Sequence, residues 1–250
     1  MGMNASSADP AGVPGDVGTM TPAPYYADES CTIYCGDCRE ILPTLGRFDL
    51  MLTDPPYELT ASGGGIGAQR DYLSDIEDFT DGGFDETILE HASNWICFCA
   101  KTQLPSLLVR AALMPRWMLV TWNKPNPTPL CNGNYLPDTE YIVHGCQAKR
   151  IFGEFRDKSR FIVHPAQQHN LHPNEKPLPV VGKMIRVGSL KGEVIIDPFM
   201  GSGTTLLSAK LNGRRAVGIE ISERYCEIAA QRLRQKVLNF LEAPSEDSLT

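Results

Sequence analysis

Short apolar runs alternate with amphipathic stretches along most of this chain, and this alternation limits the possible fold more than any other feature. Strands are predicted at residues 32–35, 49–53, 96–100, 117–122, 140–144, 194–197 and 216–220. Helices are predicted at residues 39–45, 85–95, 104–114, 178–189, 204–211 and 223–238. Strands that alternate with helices usually pair in parallel. The sequence therefore predicts an α/β fold, with a mostly parallel sheet and helices on both faces.

Three segments depart from this alternation. Residues 1–24 contain four Pro, four Gly and no Lys or Arg, which predicts a disordered tail before one domain at 25–250. Residues 58–84 are rich in Gly and Asp, while residues 126–170 are irregular, aromatic and basic. Loops this long inside a compact domain usually serve a function. We predict a lid over a ligand site at 58–84 and a recognition insertion at 126–170.

Composition excludes several classes of protein. No apolar window approaches the roughly 18 residues of a membrane-spanning helix, and the first 24 residues lack the apolar centre of a secretory signal. We therefore expect a cytoplasmic protein in which the eight Cys are reduced thiols. Cys31, Cys35 and Cys38 have the spacing of an iron–sulfur site in radical enzymes. A strand at 32–35 would turn alternate side chains to opposite faces, which disfavours such a cluster.

The strand at 49–53 runs directly into Asp54-Pro55-Pro56-Tyr57. Open α/β folds bind ligands at the carboxyl ends of their strands, so this order presents the Asp54 carboxylate to a ligand. The two prolines stiffen the turn, which lets the Pro55 carbonyl be aimed beside that carboxylate. Two adjacent acceptors suit an exocyclic amine with two N–H donors, and Tyr57 offers a flat face for stacking a base. A proline-rich turn with a satisfied Asp is the simpler alternative.

A second motif, VIIDPFMGSGTT, occupies residues 194–205 and joins a strand to a helix through a glycine-rich turn. Glycines let the backbone approach a ligand closely, and the N–H groups at the helix start suit a carboxylate. The next strand ends at Glu220, where an acidic residue commonly binds ribose hydroxyls. The turn lacks the Lys of a P-loop and departs from G-x-G-x-x-G. The motif favours a nucleoside cofactor without ATP hydrolysis or nicotinamide chemistry, and its alternative is a tight turn without a ligand.

Asp-Pro-Pro-Tyr at 54–57 and Asp-Pro-Phe-x-Gly-Ser-Gly-Thr-Thr at 197–205 together resemble the S-adenosylmethionine-dependent DNA amino-methyltransferases, which methylate N6 of adenine or N4 of cytosine. The catalytic motif comes first, as in the circularly permuted β group of that family. The resemblance spans residues 31–236 and implies a Rossmann-like, seven-stranded methyltransferase sheet. It includes three further matches: Trp122-x-Lys124-x-Asn126-Pro127-x-Pro129, the strand of Glu140, and His172-Pro173-x-x-Lys176-Pro177.

The resemblance assigns roles to matching residues and implies S-adenosylmethionine as cofactor, with no metal. The catalytic residues would be Asp54, Pro55, Pro56 and Tyr57. The cofactor ligands would be Asp37, Lys176, Asp197, Phe199, Gly201, Ser202, Gly203, Thr204, Thr205 and Glu220. For Asp37, the alternative is an N-cap for the helix predicted at 39–45, and the two roles are compatible.

The resemblance also implies the reaction. The target base leaves the duplex, Asp54 and the Pro55 carbonyl accept its two amino protons, and Tyr57 stacks on it. The nitrogen then attacks the methyl group in line, so catalysis is mainly positioning and electrostatics. Asp-Pro-Pro-Tyr is commoner among adenine enzymes of the group, which favours N6 of adenine over N4 of cytosine. An RNA or protein amide methyltransferase and a catalytically silent DNA-binding module are further alternatives, and a homodimer and a cognate restriction enzyme are possible partners.

The net charge of −7 argues at first against a nucleic-acid partner. The charge is unevenly distributed, however, because residues 101–191 contain 13 Lys plus Arg and 5 Asp plus Glu. A basic middle segment on an acidic scaffold is compatible with binding double-stranded DNA. The expected DNA contacts are Lys124, Lys149, Arg150, Arg156, Lys158 and Arg160. A solvated hairpin packed by its aromatic residues is the alternative.

Overall fold

The structure is a computed structural model that describes residues 21–56, 84–127, 129, 135–166 and 175–241, with side chains of the last helix described up to residue 235. Several predicted features lie outside the described residues: most of the tail, the lid up to residue 83, Tyr57, and residues 128, 130–134 and 167–174.

A nine-stranded mixed sheet forms the centre of the described part, in the order β1-β2-β9-β8-β3-β4-β6-β5-β7. Its strands are β1 (Tyr26–Ala27), β2 (Cys31–Cys35), β3 (Leu50–Thr53), β4 (Asn94–Cys99), β5 (Arg116–Asn123), β6 (Thr139–Cys146), β7 (Phe161–Val163), β8 (Val194–Asp197) and β9 (Arg215–Glu220). Within this sheet, β1 and β6 run antiparallel to their neighbours. The other strands therefore end at one edge, the carboxyl edge, where β6 begins, and they begin at the opposite amino edge.

Helices cover both faces of this sheet. They are α1 (Cys38–Ile41), α2 (Leu104–Ala112), α3 (Leu178–Gly188), α4 (Thr204–Leu211) and α5 (Glu223–Leu241), with 3₁₀ helices at Leu42–Thr44, Glu86–His91 and Phe155–Lys158. One core packs α3, α4 and α5 against the sheet, and the other packs α1 and α2 against the opposite face. This layering explains the continuous apolar runs of strands such as β4, which is buried along its whole length. Within the described ranges, no helix is long and apolar enough to cross a membrane.

The predicted fold class is confirmed, and each of the seven predicted strands overlaps an observed one. Sequence reasoning missed β1 and β7, which have two and three residues and are too short to show a periodic pattern. In β7, moreover, Phe161 and Val163 are exposed, so the strand lies unnoticed inside the segment predicted to be irregular.

The helix predicted at residues 85–95 is wrong. Glu86–His91 is a 3₁₀ helix, and the chain becomes extended at Ala92. Asn94 and Trp95 already belong to β4, where the Trp95 ring is almost fully buried beside Gly145 of β6. Tertiary burial of the indole therefore overrides the helical periodicity of this segment.

The contact between Gly145 and Trp95 gives a test of this packing. A Cβ atom at position 145 would lie 2.5 Å from Cζ2 of Trp95, so we expect Gly145→Ala to lower the free energy of unfolding by about 1–3 kcal/mol. Urea unfolding measures this loss. The control Val163→Ala, on a side chain that is 61% exposed, should change stability by less than about 0.5 kcal/mol. Equal stability of the Gly145→Ala variant and the wild type would contradict the predicted overpacking.

Candidate active site

The two sequence motifs meet at the carboxyl edge of the sheet. Asp54 follows β3, Asp197 ends the neighbouring β8, Glu220 ends β9, and Asp37 follows β2. The Thr53 hydroxyl donates to Asp197 Oδ1 at 2.9 Å, which joins the ends of the two motif-bearing strands directly. A ligand lying across this edge would contact residues that are far apart in sequence.

Two buried carboxyl groups fix the glycine-rich turn after β8. Asp197 accepts the Phe199 N–H at 3.1 Å and a hydrogen bond from the Thr205 hydroxyl, while Glu220 Oε2 accepts the Gly201 N–H at 3.0 Å. Gly201 and Gly203 have φ angles of 51° and 80°, a region that favours glycine. Burial raises the pKa of Asp197 to about 7 and also raises the pKa of Glu220.

The strand ends that precede Asp37 and carry Glu220 are adjacent. The Gly36 N–H donates to the Glu220 carbonyl at 2.9 Å, and Glu220 Oε1 accepts the Ser222 N–H at 3.0 Å. A carboxylate oxygen can accept a second hydrogen bond, so Glu220 retains capacity for ribose hydroxyls.

Asp37 accepts the Arg39 N–H and pairs with its guanidinium at 2.6 Å, which lowers the Asp37 pKa. Asp37 therefore caps α1, as the alternative interpretation predicted.

Arg232 of α5 braces the same turn, and no sequence motif points to it. Its guanidinium donates to the Ser202 carbonyl at 2.7 Å and to the Ser202 hydroxyl at 2.9 Å. Arg232 also pairs with Glu175, which accepts the Thr204 hydroxyl at 3.0 Å. This network ties the glycine-rich turn to α5 and to the segment before α3.

Gln103, directly before α2, holds the turn at Asp54-Pro55-Pro56, and sequence reasoning also missed it. Its amide Nε2 donates to the Pro56 carbonyl at 3.0 Å, and its Oε1 accepts the Ala100 N–H at 3.2 Å. Gln103 is 7% exposed, so its amide is a fixed brace between the turns that follow β3 and β4. Tyr57, the last residue of the motif, lies outside the described residues.

Four charged side chains form a chain of ion pairs beside this turn, which we call the charge quartet. The Lys176 ammonium lies 2.5 Å from Asp54 Oδ2 and 3.5 Å from Glu140 Oε2, and the Lys124 ammonium lies 2.5 Å from Glu140 Oε1. Burial would raise the pKa of Glu140, but Lys176 and Lys124 together hold it below its ordinary value. Lys176, expected as a cofactor ligand, thus contacts the Asp54 carboxylate in this structure.

The structure brings only Lys124, among the predicted DNA contacts, to the carboxyl edge. Lys149 and Arg150 follow β6, and Arg156, Lys158 and Arg160 precede β7, so all five lie towards the amino edge. The distance from Glu140 to Cys146 along β6 is about 20 Å. Contact of these five residues with DNA stays a prediction.

Among these five residues, Arg150 has a structural partner. Its guanidinium lies 2.5 Å from Glu193, just before β8, and 5.3 Å from the centre of the Phe152 ring. Its side chain is 22% exposed, whereas the other four basic residues are exposed. Arg150 therefore helps to hold the amino edge together.

Two cysteines of the pattern at residues 31, 35 and 38 lie at opposite ends of β2. Cys31 is buried at the start of the strand and Cys35 is exposed at its end, and the seven cysteines in the described part of the chain are free thiols. Across the described residues, no group of three or more His, Cys, Asp or Glu is placed to hold a metal ion.

Comparison with known proteins relates this site to DNA methylases. The family N6_N4_Mtase, described as DNA methylase, matches residues 156–231. Type II methyltransferase M.HinfI of Haemophilus influenzae is 27% identical, with 82% of this chain and 68% of that protein covered. Type II methyltransferase M2.LlaDCHI of Lactococcus lactis subsp. cremoris is 24% identical, with 87% of this chain and 94% of that protein covered.

Solved structures show the same fold. The M1.HpyAVI–SAM complex has a TM-score of 0.59 and 23% identity, with 81% of this chain and 99% of that chain covered. The cytosine-N4-specific PvuII DNA methyltransferase has a TM-score of 0.63 and 15% identity, with 91% of this chain and 90% of that chain covered. The matched family and the curated relatives are described as DNA methylases and methyltransferases, and the solved structures share the fold of this chain.

The buried Asp197 gives a pH-dependent prediction. Its pKa rises from 3.8 to about 7 on folding, so the folded state binds the proton more tightly and stability falls as pH rises between these values. Asn at this position can still accept from Thr53 and Phe199 but does not titrate. We expect the stability of Asp197→Asn relative to wild type to rise from pH 5 to pH 7 by up to about 1.4 kcal/mol per unit, and then to level off.

Guanidinium unfolding at pH 5, 6, 7 and 8 measures this difference. Asp49→Asn is a suitable control, because Asp49 also accepts a backbone N–H, from Val194 at 2.9 Å. A stability difference between Asp197→Asn and wild type that stays constant over this pH range would contradict the assignment.

Proposed function

We propose that this chain transfers a methyl group from S-adenosylmethionine to the exocyclic N6 of an adenine that is flipped out of double-stranded DNA. The observation that carries the proposal is the pairing of β3 with β8. This pairing puts the Asp54 turn beside the glycine-rich turn after β8, which Glu220 holds through the Gly201 N–H. The group that accepts the amine and the site for the nucleoside then lie at the same edge of the sheet. Methyl transfer from the cofactor to the base requires this proximity.

The residues at β8, β9 and β2 fit the cofactor. Glu220 offers carboxylate oxygens to ribose hydroxyls, and Asp37 lies on the adjacent strand end. Gly201 and Gly203 give the turn a backbone shape that side chains would disfavour. When bound, the cofactor supplies an electrophilic methyl group on a positively charged sulfur. Arg232 and Glu175 act indirectly, since their hydrogen bonds hold the glycine-rich turn in place.

The catalytic turn fits an amine donor. A base in the duplex keeps its amino group paired, so the base has to leave the stack before Asp54 and the Pro55 carbonyl can accept the amino protons. Gln103 anchors the next carbonyl, Pro56, and thereby restrains the turn. Two fixed acceptors localise the lone pair on the amino nitrogen, which makes the nitrogen a better nucleophile without a covalent enzyme intermediate. Tyr57 stacks on the base in this proposal.

Adenine is favoured over cytosine by the sequence of the catalytic turn. Asp-Pro-Pro-Tyr at 54–57 resembles the adenine enzymes of the β group. Cytosine-N4 methylation is the second candidate, because the PvuII enzyme, named as cytosine-N4-specific, shares the fold. A homodimer and a cognate restriction enzyme stay predictions, and light scattering with DNA present can check the former.

Replacing the Asp54 carboxylate tests the reaction. We expect Asp54→Ala to lose methyl transfer at least about 100-fold while it still binds the cofactor, because the acceptor is removed and the glycine-rich turn after β8 is untouched. Tritium transfer into DNA measures the rate, and digestion of the wild-type product to nucleosides should yield N6-methyladenine. Asp28→Ala is the control, since Asp28 pairs with Lys210 at the amino edge. Near-wild-type transfer by Asp54→Ala would refute the mechanism.

Neutralising three exposed cations tests the proposed DNA contacts. If Arg156, Lys158 and Arg160 bind phosphates, replacing all three with Gln should weaken DNA binding for every sequence and reduce the salt dependence of log K by about 0.9 for each phosphate that is no longer neutralised. Because these residues lie away from Asp54, kcat should not change. Binding titrations at several salt concentrations measure the slope. An unchanged slope would contradict phosphate contacts by these three residues.

Arg150→Gln is a useful comparison for the triple variant. This change removes the pair with Glu193, so we expect a loss of stability, and a smaller salt dependence of DNA binding would add Arg150 to the phosphate contacts.

A further inference from the structure

The two carboxylate oxygens of Glu140 have different surroundings. Oε1 accepts a hydrogen bond from the Lys124 ammonium at 2.5 Å. Oε2 is buried and, although the Lys176 ammonium lies 3.5 Å away, it accepts no hydrogen bond among the described residues. A buried carboxylate oxygen without a hydrogen bond is costly and uncommon. The position of Oε2 within the charge quartet therefore calls for a physical explanation.

Lys176 lies between this oxygen and the catalytic carboxylate. Its ammonium is hydrogen-bonded to Asp54 Oδ2 at 2.5 Å and is 3.5 Å from Glu140 Oε2. If the ammonium moved by less than about 1 Å, its distance from Glu140 Oε2 would become that of a normal hydrogen bond. The Phe98 ring lies below, with its centre 5.5 Å from the ammonium, and an aromatic face attracts a cation without fixing its direction. Lys176 can thus form a hydrogen bond with either Asp54 or Glu140.

The proposed methyl transfer makes the contact with Asp54 unfavourable once a base arrives. The amino nitrogen becomes more positive as it attacks, and Asp54 has to stabilise that charge. An ammonium bound to the same carboxylate opposes this stabilisation. In the absence of a base, however, the same ammonium compensates the Asp54 charge at a site where burial is costly. The best partner for Lys176 therefore differs between the two states.

We propose that Lys176 is a positioning residue that changes partner when the base binds, an inference that rests on the proposed function. Lys176 holds Asp54 while the site is empty, and it transfers its hydrogen bond to Glu140 Oε2 when the amino group of the base reaches Asp54. Lys124 keeps Oε1 throughout and so holds Glu140 in place. No covalent bond changes, and the charge of the quartet is the same before and after.

Glu140→Gln tests this exchange because it removes the anion that receives Lys176. We expect kcat at saturating DNA to fall by about 10- to 100-fold, with the cofactor dissociation constant unchanged. The double variant Glu140→Gln/Lys176→Met should recover most of the missing kcat, since the cation retained on Asp54 is then absent. A merely structural role for the two residues predicts that the double variant is no better than Glu140→Gln, and that result would overturn the proposal.

Glu193→Gln is the matched control, because it makes the same substitution in the ion pair with Arg150 at the amino edge. Its kcat should equal that of the wild type. Circular dichroism and urea unfolding of each variant establish that its fold is intact.

The Lys176 ammonium can also be followed directly. In protein with ¹⁵N-labelled lysine, its signal is identified by its absence in Lys176→Met. Adding target DNA with the demethylated form of the cofactor should shift this signal in the wild type and leave it unshifted in Glu140→Gln. An unshifted wild-type signal would overturn the exchange. A wild-type protein that methylates no DNA would instead overturn the proposed function, and the exchange with it.

Discussion

The parallel pairing of β3 with β8 is the constraint on which the candidate site depends. Leu50 and Met51 pair with Ile195 and Ile196, and both strands are fully apolar at their centres. This register aligns the ends of the two strands, so the Thr53 hydroxyl reaches Asp197. A shift of one residue would turn every side chain of β3 to the opposite face. Burial in the two cores therefore sets the geometry of the polar groups at the strand ends.

Charge compensation is the second constraint on this site. Asp197 and Glu220 are buried among backbone and hydroxyl hydrogen-bond donors, and burial raises the pKa of both groups. Glu140, by contrast, is flanked by two ammonium groups, and its pKa is lowered. Asp197 and Glu220 beside the glycine-rich turn thus rely on backbone and hydroxyl donors, while Glu140 relies on full charges. An ammonium group can change from one carboxylate partner to another, whereas the N–H donors of a rigid turn keep their partners.

The sequence predicted the parts of the site that lie on continuous motifs. Asp54 and Glu220 follow apolar runs that form strands, and the order of those strands places them at one edge. Sequence reasoning could not find Gln103 or Arg232, because each acts through a contact with a backbone carbonyl far away in the chain. The same applies to Lys176: its motif suggested a cofactor contact, and only the fold shows that its ammonium reaches Asp54.

The reversed direction of β6 has a consequence for how this protein can diversify. Because β6 starts at the carboxyl edge, the chain both leaves and re-enters the site there, at Lys124 and Glu140. The Lys124 N–H donates to the Asp138 carbonyl at 2.6 Å, and the Lys124 and Glu140 side chains form an ion pair, so the ends of the intervening segment are joined twice. Lengthening a segment with joined ends costs little free energy, since closure entropy grows only with the logarithm of length. Residues between these ends can therefore be exchanged or extended while Lys124 and Glu140 keep their positions.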